Sequence, residues 1–120
     1  VGALIPFNAR NELKNAAFFL PDPWTRTKRE APTSVLWADD ALKQITHDYA
    51  SGKVKASSIA KILGSMALNM QWKHFPAYFK YGVNYLRGRK WHRALFCDVL
   101  FADLFLKMYD KTQPDFATVF

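Results

Sequence analysis

The chain holds a single cysteine, Cys97, in 120 residues. One thiol excludes an internal disulfide framework. Cys97 lies within an apolar helical pattern, so it is expected as a buried, reduced thiol, a state that favours a cytoplasmic setting. Long apolar runs are also missing. The most apolar stretch, residues 94–109, is interrupted by Asp98, Asp103 and Lys107, and nothing approaches the roughly 18 apolar residues of a transmembrane segment. Val1–Ile5 carries no basic leader and no small-residue cleavage site, so no secretory signal is read there. The chain has no glycine-rich phosphate loop, no GxSxG and no CxxC. Its histidines, His47, His74 and His92, fit no ligand spacing such as HxxxH. They are expected at the surface or at helix ends, and no metal site or catalytic residue is assigned to this chain alone.

Acidic residues are missing from one long segment. Between Ser51 and Cys97 there are nine lysines and arginines and no aspartate or glutamate: Lys53, Lys55, Lys61, Lys73, Lys80, Arg87, Arg89, Lys90 and Arg93. The net charge of +7 is concentrated there. Such a segment either forms a solvated helix surface balanced by acids elsewhere or attracts polyanions, anionic headgroups or phosphate-bearing substrates. Its later part, WKHFPAYFKYGVNYLRGRKWHR, mixes rings with cations. Lys73, Lys80, Arg87, Arg89, Lys90 and Arg93 form the expected basic surface, suited to nucleic acid or an anionic membrane. Tyr78, Phe79 and Tyr81, at helical spacing, read first as core.

What is abundant is apolar and aromatic side chain. Half the residues are hydrophobic and 16% are aromatic, enough for one buried core. Residues 1–5 and 16–20 read as short apolar strands. The first is followed by a polar loop, Pro6 to Lys14, and the second by a proline-rich loop, Pro21 to Pro32. Residues 33–110 read as helices. Thr33 or Ser34 offers a hydroxyl N-cap for a first helix that carries Val35, Leu36, Ala38, Leu42, Ile45 and Tyr49 and ends near Gly52. Ser57 or Ser58 starts a second, with Ile59, Ile62, Leu63, Met66, Ala67 and Met70 on one face. A third runs from Pro76 to Leu86 and stops at Gly88. The fourth, Trp91 to Tyr109, is apolar on nearly all sides and is expected to be the most buried. Pro114 stops it, and residues 115–120 read as a last strand.

The fold class that follows is α/β: short strands at both ends with a mainly helical insertion between them. Residues 1–120 form a single domain or a fragment of a larger α/β domain. An all-helical module with stray ends is the alternative. Both ends are apolar where natural termini are usually polar, so a piece of a longer or processed protein is expected. A sheet cut in this way would expose strand edges and invite self-association.

Asp39 and Asp40 are adjacent, and neighbours on a helix diverge by about 100°, so they are not expected to share a site. Placement in the first turns, where the macrodipole favours acids, explains them better. Asp98 and Asp103 sit in the apolar fourth helix and need partners, for which Arg93 and Lys107 are available. Asp22 stands between Pro21 and Pro23, immediately after Phe18-Phe19-Leu20. Neither proline can donate to a ladder, so strand pairing ends there, and Asp22 is pushed to extended geometry.

The front of the chain, Val1-Gly2-Ala3-Leu4-Ile5-Pro6-Phe7 with AAFFLPDPWTRT, and its close, Pro114-Asp115-Phe116-Ala117-Thr118-Val119-Phe120, together resemble a segment of the alkaline phosphatase superfamily. The similarity is to the type I phosphodiesterase and sulfatase-like members. It covers about 27 residues at the front and seven at the back. The resemblance implies a metal-dependent hydrolase of phosphate or sulfate esters, using a Thr or Ser nucleophile and divalent ions such as zinc. It places the nucleophile before Val1 and the next metal ligands after Phe120, so the chain itself would bind no cofactor and be catalytically incomplete. An anionic, phosphate- or sulfate-bearing substrate is the implied partner. Ligands of open α/β sheets gather beyond the carboxyl ends of the strands. Asn8, Arg10, Asp22, Trp24 and Arg26, on the loops leaving two such ends, are the expected substrate contacts.

Overall fold

The computed structural model of the protein describes residues 1–4, 9–12, 14–48 and 53–119. Ile5, Asn8, Tyr49, Gly52 and Phe120, all invoked above, lie outside them. Among the described residues the chain forms three strands, β1 (Gly2–Leu4), β2 (Phe18–Leu20) and β3 (Ala117–Val119), and four α-helices. The helices are α1 (Thr33–His47), α2 (Ala56–Asn69), α3 (Phe75–Leu86) and α4 (His92–Thr112), with a short 3-10 turn at Trp72–His74 before α3.

The strands make one parallel sheet in the order β2-β1-β3. Gly2 stands opposite both Phe18 and Ala117, and Leu4 opposite both Leu20 and Val119. The fold is therefore α/β, and the all-helical alternative falls. Parallel strands bury both faces and are apolar throughout, as GAL and FFL are here. Gly2 is required by close approach: a Cβ there would meet the Phe18 ring at 2.4 Å. The outer edge of β2 is closed by an antiparallel bridge, where Phe19 and Glu30 exchange amide bonds of 2.7 and 2.9 Å. β3 is the more open edge, with Val119 42% exposed.

The core lies between the sheet and the helices. Leu4, Phe18 and Leu20 from the strands meet Val35 and Ala38 of α1, Tyr78 of α3, and Leu100, Phe101, Leu104 and Met108 of α4. Phe105 packs edge-on against Phe18, with centroids 5.9 Å apart. α4 is thus the hub, but it is not apolar-buried all round. Leu106 and Tyr109 are 37% and 41% exposed, because one side of the helix is left uncovered.

The helix boundaries show what ended each element. α1 begins after Pro32, whose carbonyl accepts from the amides of Val35 and Leu36. No side chain caps it, so the hydroxyl cap expected from Thr33 or Ser34 is not formed. The fixed φ of Pro32, −58°, sets the entry instead. α1 ends at His47, and Asp48 closes it by donating its amide to the Gln44 carbonyl. α3 starts one residue before Pro76 and ends at Leu86, and Gly88 beyond it turns the chain, with a φ of +89° in the left-handed region that glycine alone enters without cost. α4 runs on to Thr112, beyond the expected Tyr109, and stops before Pro114 with Gln113 in the left-handed conformation.

Candidate functional site

Because the strands are parallel, their carboxyl ends gather at one edge of the sheet. β2 runs off that edge into Pro21-Asp22-Pro23, and all three residues are buried. The Asp22 carboxylate turns back on its own loop. Oδ1 accepts from the amides of Trp24 at 2.9 Å and Thr25 at 3.1 Å, and Oδ2 accepts from the Thr25 hydroxyl at 2.5 Å. This is an aspartate turn, and it projects Trp24 outward with its ring 65% exposed. A second tether comes from the first loop, where the Asn11 amide donates to the Thr27 hydroxyl at 2.9 Å.

Beside this loop lies an open cleft of about 340 Å³, lined by Pro23, Trp24, Thr25, Arg26, Thr27, Arg29, Asp40, Lys43 and His47. The C-terminal half of α1, through Asp40, Lys43 and His47, forms its far wall. His47 Nε2 lies 3.3 Å from the Pro23 carbonyl oxygen, so the tautomer protonated at Nε2 donates to it and ties the helix end to the loop. Trp24 and Arg26 therefore come together in the cleft. Asp22 supports it from beneath, Arg10 is exposed and does not line it, and Asn8 lies outside the described residues.

The electrostatics of the cleft rest on a cluster whose distances correct one expectation. Asp39 and Asp40 lie beyond the first turn of α1, and they do share a partner. Arg29 Nη1 is 2.7 Å from an oxygen of each. One guanidinium nitrogen thus serves both carboxylates, whose side chains converge on it although their backbone positions diverge. Lys43 adds a contact of 2.9 Å to Asp39, and Lys61 one of 3.0 Å to Asp40. Hydrogen bonds to Asp39 and Asp40 push the Arg29 guanidinium further above its ordinary range. Burial pushes the Asp40 carboxyl up, but the bonds from Arg29 and Lys61 outweigh it and hold the group below the usual carboxylate range.

Three cations thus face two carboxylates, and Arg26 is exposed with no ion pair among the described residues. The cleft keeps a positive surplus, which suits an anion. It does not suit a cation, because the acids at hand are already held by Arg29, Lys43 and Lys61. Among the described residues there is also no cluster of three or more His, Cys, Asp or Glu able to hold a metal. The ionic chemistry this cleft can do is anion capture by arginine and lysine, with Trp24 available to pack on an attached organic group.

A second polar constellation is buried. Asp103 is fully enclosed and neither Arg93 nor Lys107 reaches it. Lys107 instead donates to the Leu68 carbonyl, and Asp98 points into solvent. Asp103 Oδ1 lies 2.6 Å from His74 Nδ1, while Oδ2 accepts from the Tyr78 hydroxyl at 2.9 Å and the Gln71 amide at 3.0 Å. Burial, and then the bond to Asp103, push the Tyr78 phenol far above its ordinary range, so it stays a donor. Three donors satisfy one buried carboxylate and pin the α2–α3 connection to α4.

The remaining chemistry-bearing residues are scattered. His92, the first residue of α4, is buried against Trp91, with ring centroids 3.8 Å apart. Cys97 lines an apolar cleft of about 350 Å³ with Ile59, Leu63, Phe96 and Arg93. Burial is the main force raising its thiol pKa to about 11, as expected of an inert core cysteine. Arg93 therefore stands apart from the other basic residues. Lys73, Lys80, Arg87, Arg89 and Lys90 are exposed and take part in no ion pair among the described residues. Of the three rings read as core, only Tyr78 is buried; Phe79 is 64% exposed.

The sequence pointed to Trp24 and Arg26 but not to Arg29 of the same loop, nor to Lys43 and His47, which reach the cleft only because α1 lies beside the loop. The spacing of Asp39 and Lys43, i and i+4, was the one local signal. Comparison with known protein families, characterised proteins and solved structures finds no match for this chain.

Proposed function

We propose that the chain forms the substrate-side part of a phosphate- or sulfate-ester hydrolase resembling the alkaline phosphatase superfamily. The observation that carries this reading is the cationic cleft at the carboxyl edge of a parallel sheet, the place where open α/β sheets receive ligands. The resemblance assigns the nucleophile and the divalent ions to chain outside these 120 residues. The part argued for the residues present is capture and orientation of the ester.

In this reading Arg26 supplies the free guanidinium for two oxygens of the phosphoryl or sulfuryl group. Arg29 and Lys43 contribute field more than contact, because Asp39 and Asp40 hold them. Trp24 packs on the organic part of the ester. Asp22 fixes the loop so that both side chains face the cleft without an ordering cost at binding.

The test is hydrolysis of p-nitrophenyl phosphate, bis-p-nitrophenyl phosphate and p-nitrophenyl sulfate by the protein that carries this sequence, with divalent metal supplied. Arg26→Ala is expected to lower kcat/KM by about tenfold or more, the loss of one charge-assisted hydrogen-bonding group. Lys28→Ala, outside the cleft, should leave it unchanged. No hydrolysis of any of the three esters, or an Arg26→Ala enzyme as active as the parent, overturns the reading.

A further inference from the structure

One surface of the molecule is unexplained by the cleft. Trp72, Phe75 and Phe79 form a ladder along the outer side of α3 and its preceding turn, with centroids 6.2 and 6.4 Å apart. They are 79%, 46% and 64% exposed, and Leu86, on the same face of α3 one heptad after Phe79, is 83% exposed. Single exposed apolar residues are ordinary; a contiguous run of rings is not. The orientation is fixed from behind. Tyr78 is buried and bonded to Asp103, and Gly82 faces Phe96 on α4. The helix cannot roll to hide its outer face without breaking that bond.

Cations flank the strip. Lys80 follows Phe79 about 100° round α3, and Lys73 follows Trp72 about 120° round the 3-10 turn. Arg87, Arg89 and Lys90 cluster at the turn that ends α3. No acid occurs anywhere between Ser51 and Cys97 to neutralise them.

We propose that this face docks on an anionic membrane surface. α3 would lie in the plane of the interface, its rings among the acyl-chain boundary and its cations at headgroup level. No helix of the described residues is long and apolar enough to cross a membrane, so the contact is superficial. Charge decides against a second copy of the chain: a two-fold pairing of this face would set lysine and arginine flanks against their like. The rings decide against a nucleic acid. They lean on one another, with Phe75 and Phe79 stacked at 28°, and Leu86 continues the strip. Bases need free ring faces beside each cation, whereas lipid needs only continuous apolar area.

The experiment is co-sedimentation with vesicles of phosphatidylcholine alone and of phosphatidylcholine mixed with phosphatidylglycerol. The chain is expected to bind the mixed vesicles, to bind pure phosphatidylcholine far less, and to lose binding as salt rises. Trp72→Ala with Phe79→Ala should weaken partitioning by about tenfold or more. Lys73→Gln with Lys80→Gln should weaken it and flatten the salt dependence. All four residues are exposed, so far-UV circular dichroism and Tm are expected to match the parent. Absence of binding to mixed vesicles, or equal binding by the parent and the ring variant, overturns the proposal. So does displacement from vesicles by a single-stranded oligonucleotide that the same ring substitutions cease to bind, or self-association that these substitutions abolish while vesicles stay unbound.

Discussion

The inner face of α4 and the outer face of α3 carry the same kind of sequence signal and meet opposite fates. Leu100, Leu104 and Met108 recur at i, i+4 and i+8, and all are buried under the sheet. Trp72, Phe75 and Phe79 recur at i, i+3 and i+7, and all are exposed. Periodicity says which side chains share a face, and nothing about whether a second element covers it. Even the polar residues differ in the same way. Asp103, on the α4 side, has all its neighbours spent on it, while Lys73 and Lys80 on the α3 side have none of their charge offset.

The comparison breaks first at Leu104. Leu104→Ala removes a fully enclosed side chain and should cost about 2–5 kcal/mol in urea unfolding; a loss well under 1 kcal/mol would mean that α4 is not the hub of the core. Asp103→Ala comes next. It strands the Tyr78 hydroxyl, the Gln71 amide and His74, at a cost on the order of 1–3 kcal/mol, and Tyr78→Phe should lose less. Asp40 gives a smaller, pH-dependent effect. Its carboxyl is held below the usual range, so its contribution is present above the ordinary aspartate pKa of about 4 and is lost as pH falls through the depressed value. Thermal unfolding of Asp40→Asn should therefore differ from the parent most at neutral pH and converge with it in acid. The smallest stability change belongs to Trp72→Ala, within about 0.5 kcal/mol, since the ring it deletes buries little. A large loss there would show the ladder to be part of the core and dissolve the contrast.

β1 and β2 were legible because parallel, doubly buried strands are short apolar runs, as GAL and FFL are, whereas ATV, less buried at the open edge, was marked by its place after Pro114. The helices were legible from their spacing and from Gly88 and Pro114. What failed was long-range polar pairing. His74 and Asp103 are 29 residues apart, and only the packing of α3 on α4 brings them together, so Arg93 and Lys107 were the nearest partners in sequence and the wrong ones. Asp39 and Asp40 misled for a related reason. The divergence of adjacent helix positions is real, but both carboxylates converge on one guanidinium nitrogen arriving from the loop. At the cleft, Trp24 and Arg26 were visible as loop residues after a strand, whereas Lys43 and His47 read as ordinary helix surface until α1 met the loop.

The most direct measurement of the central claim is a titration of phenyl phosphate into the chain, followed by NMR at the Trp24 indole N–H and the amides of Thr25 and Thr27. Saturable shifts confined to the cleft are expected, with an affinity lowered about tenfold or more in Arg26→Ala, where one charged hydrogen-bonding partner is lost. Absence of saturable shifts in the parent, or equal affinity in the variant, would contradict that claim.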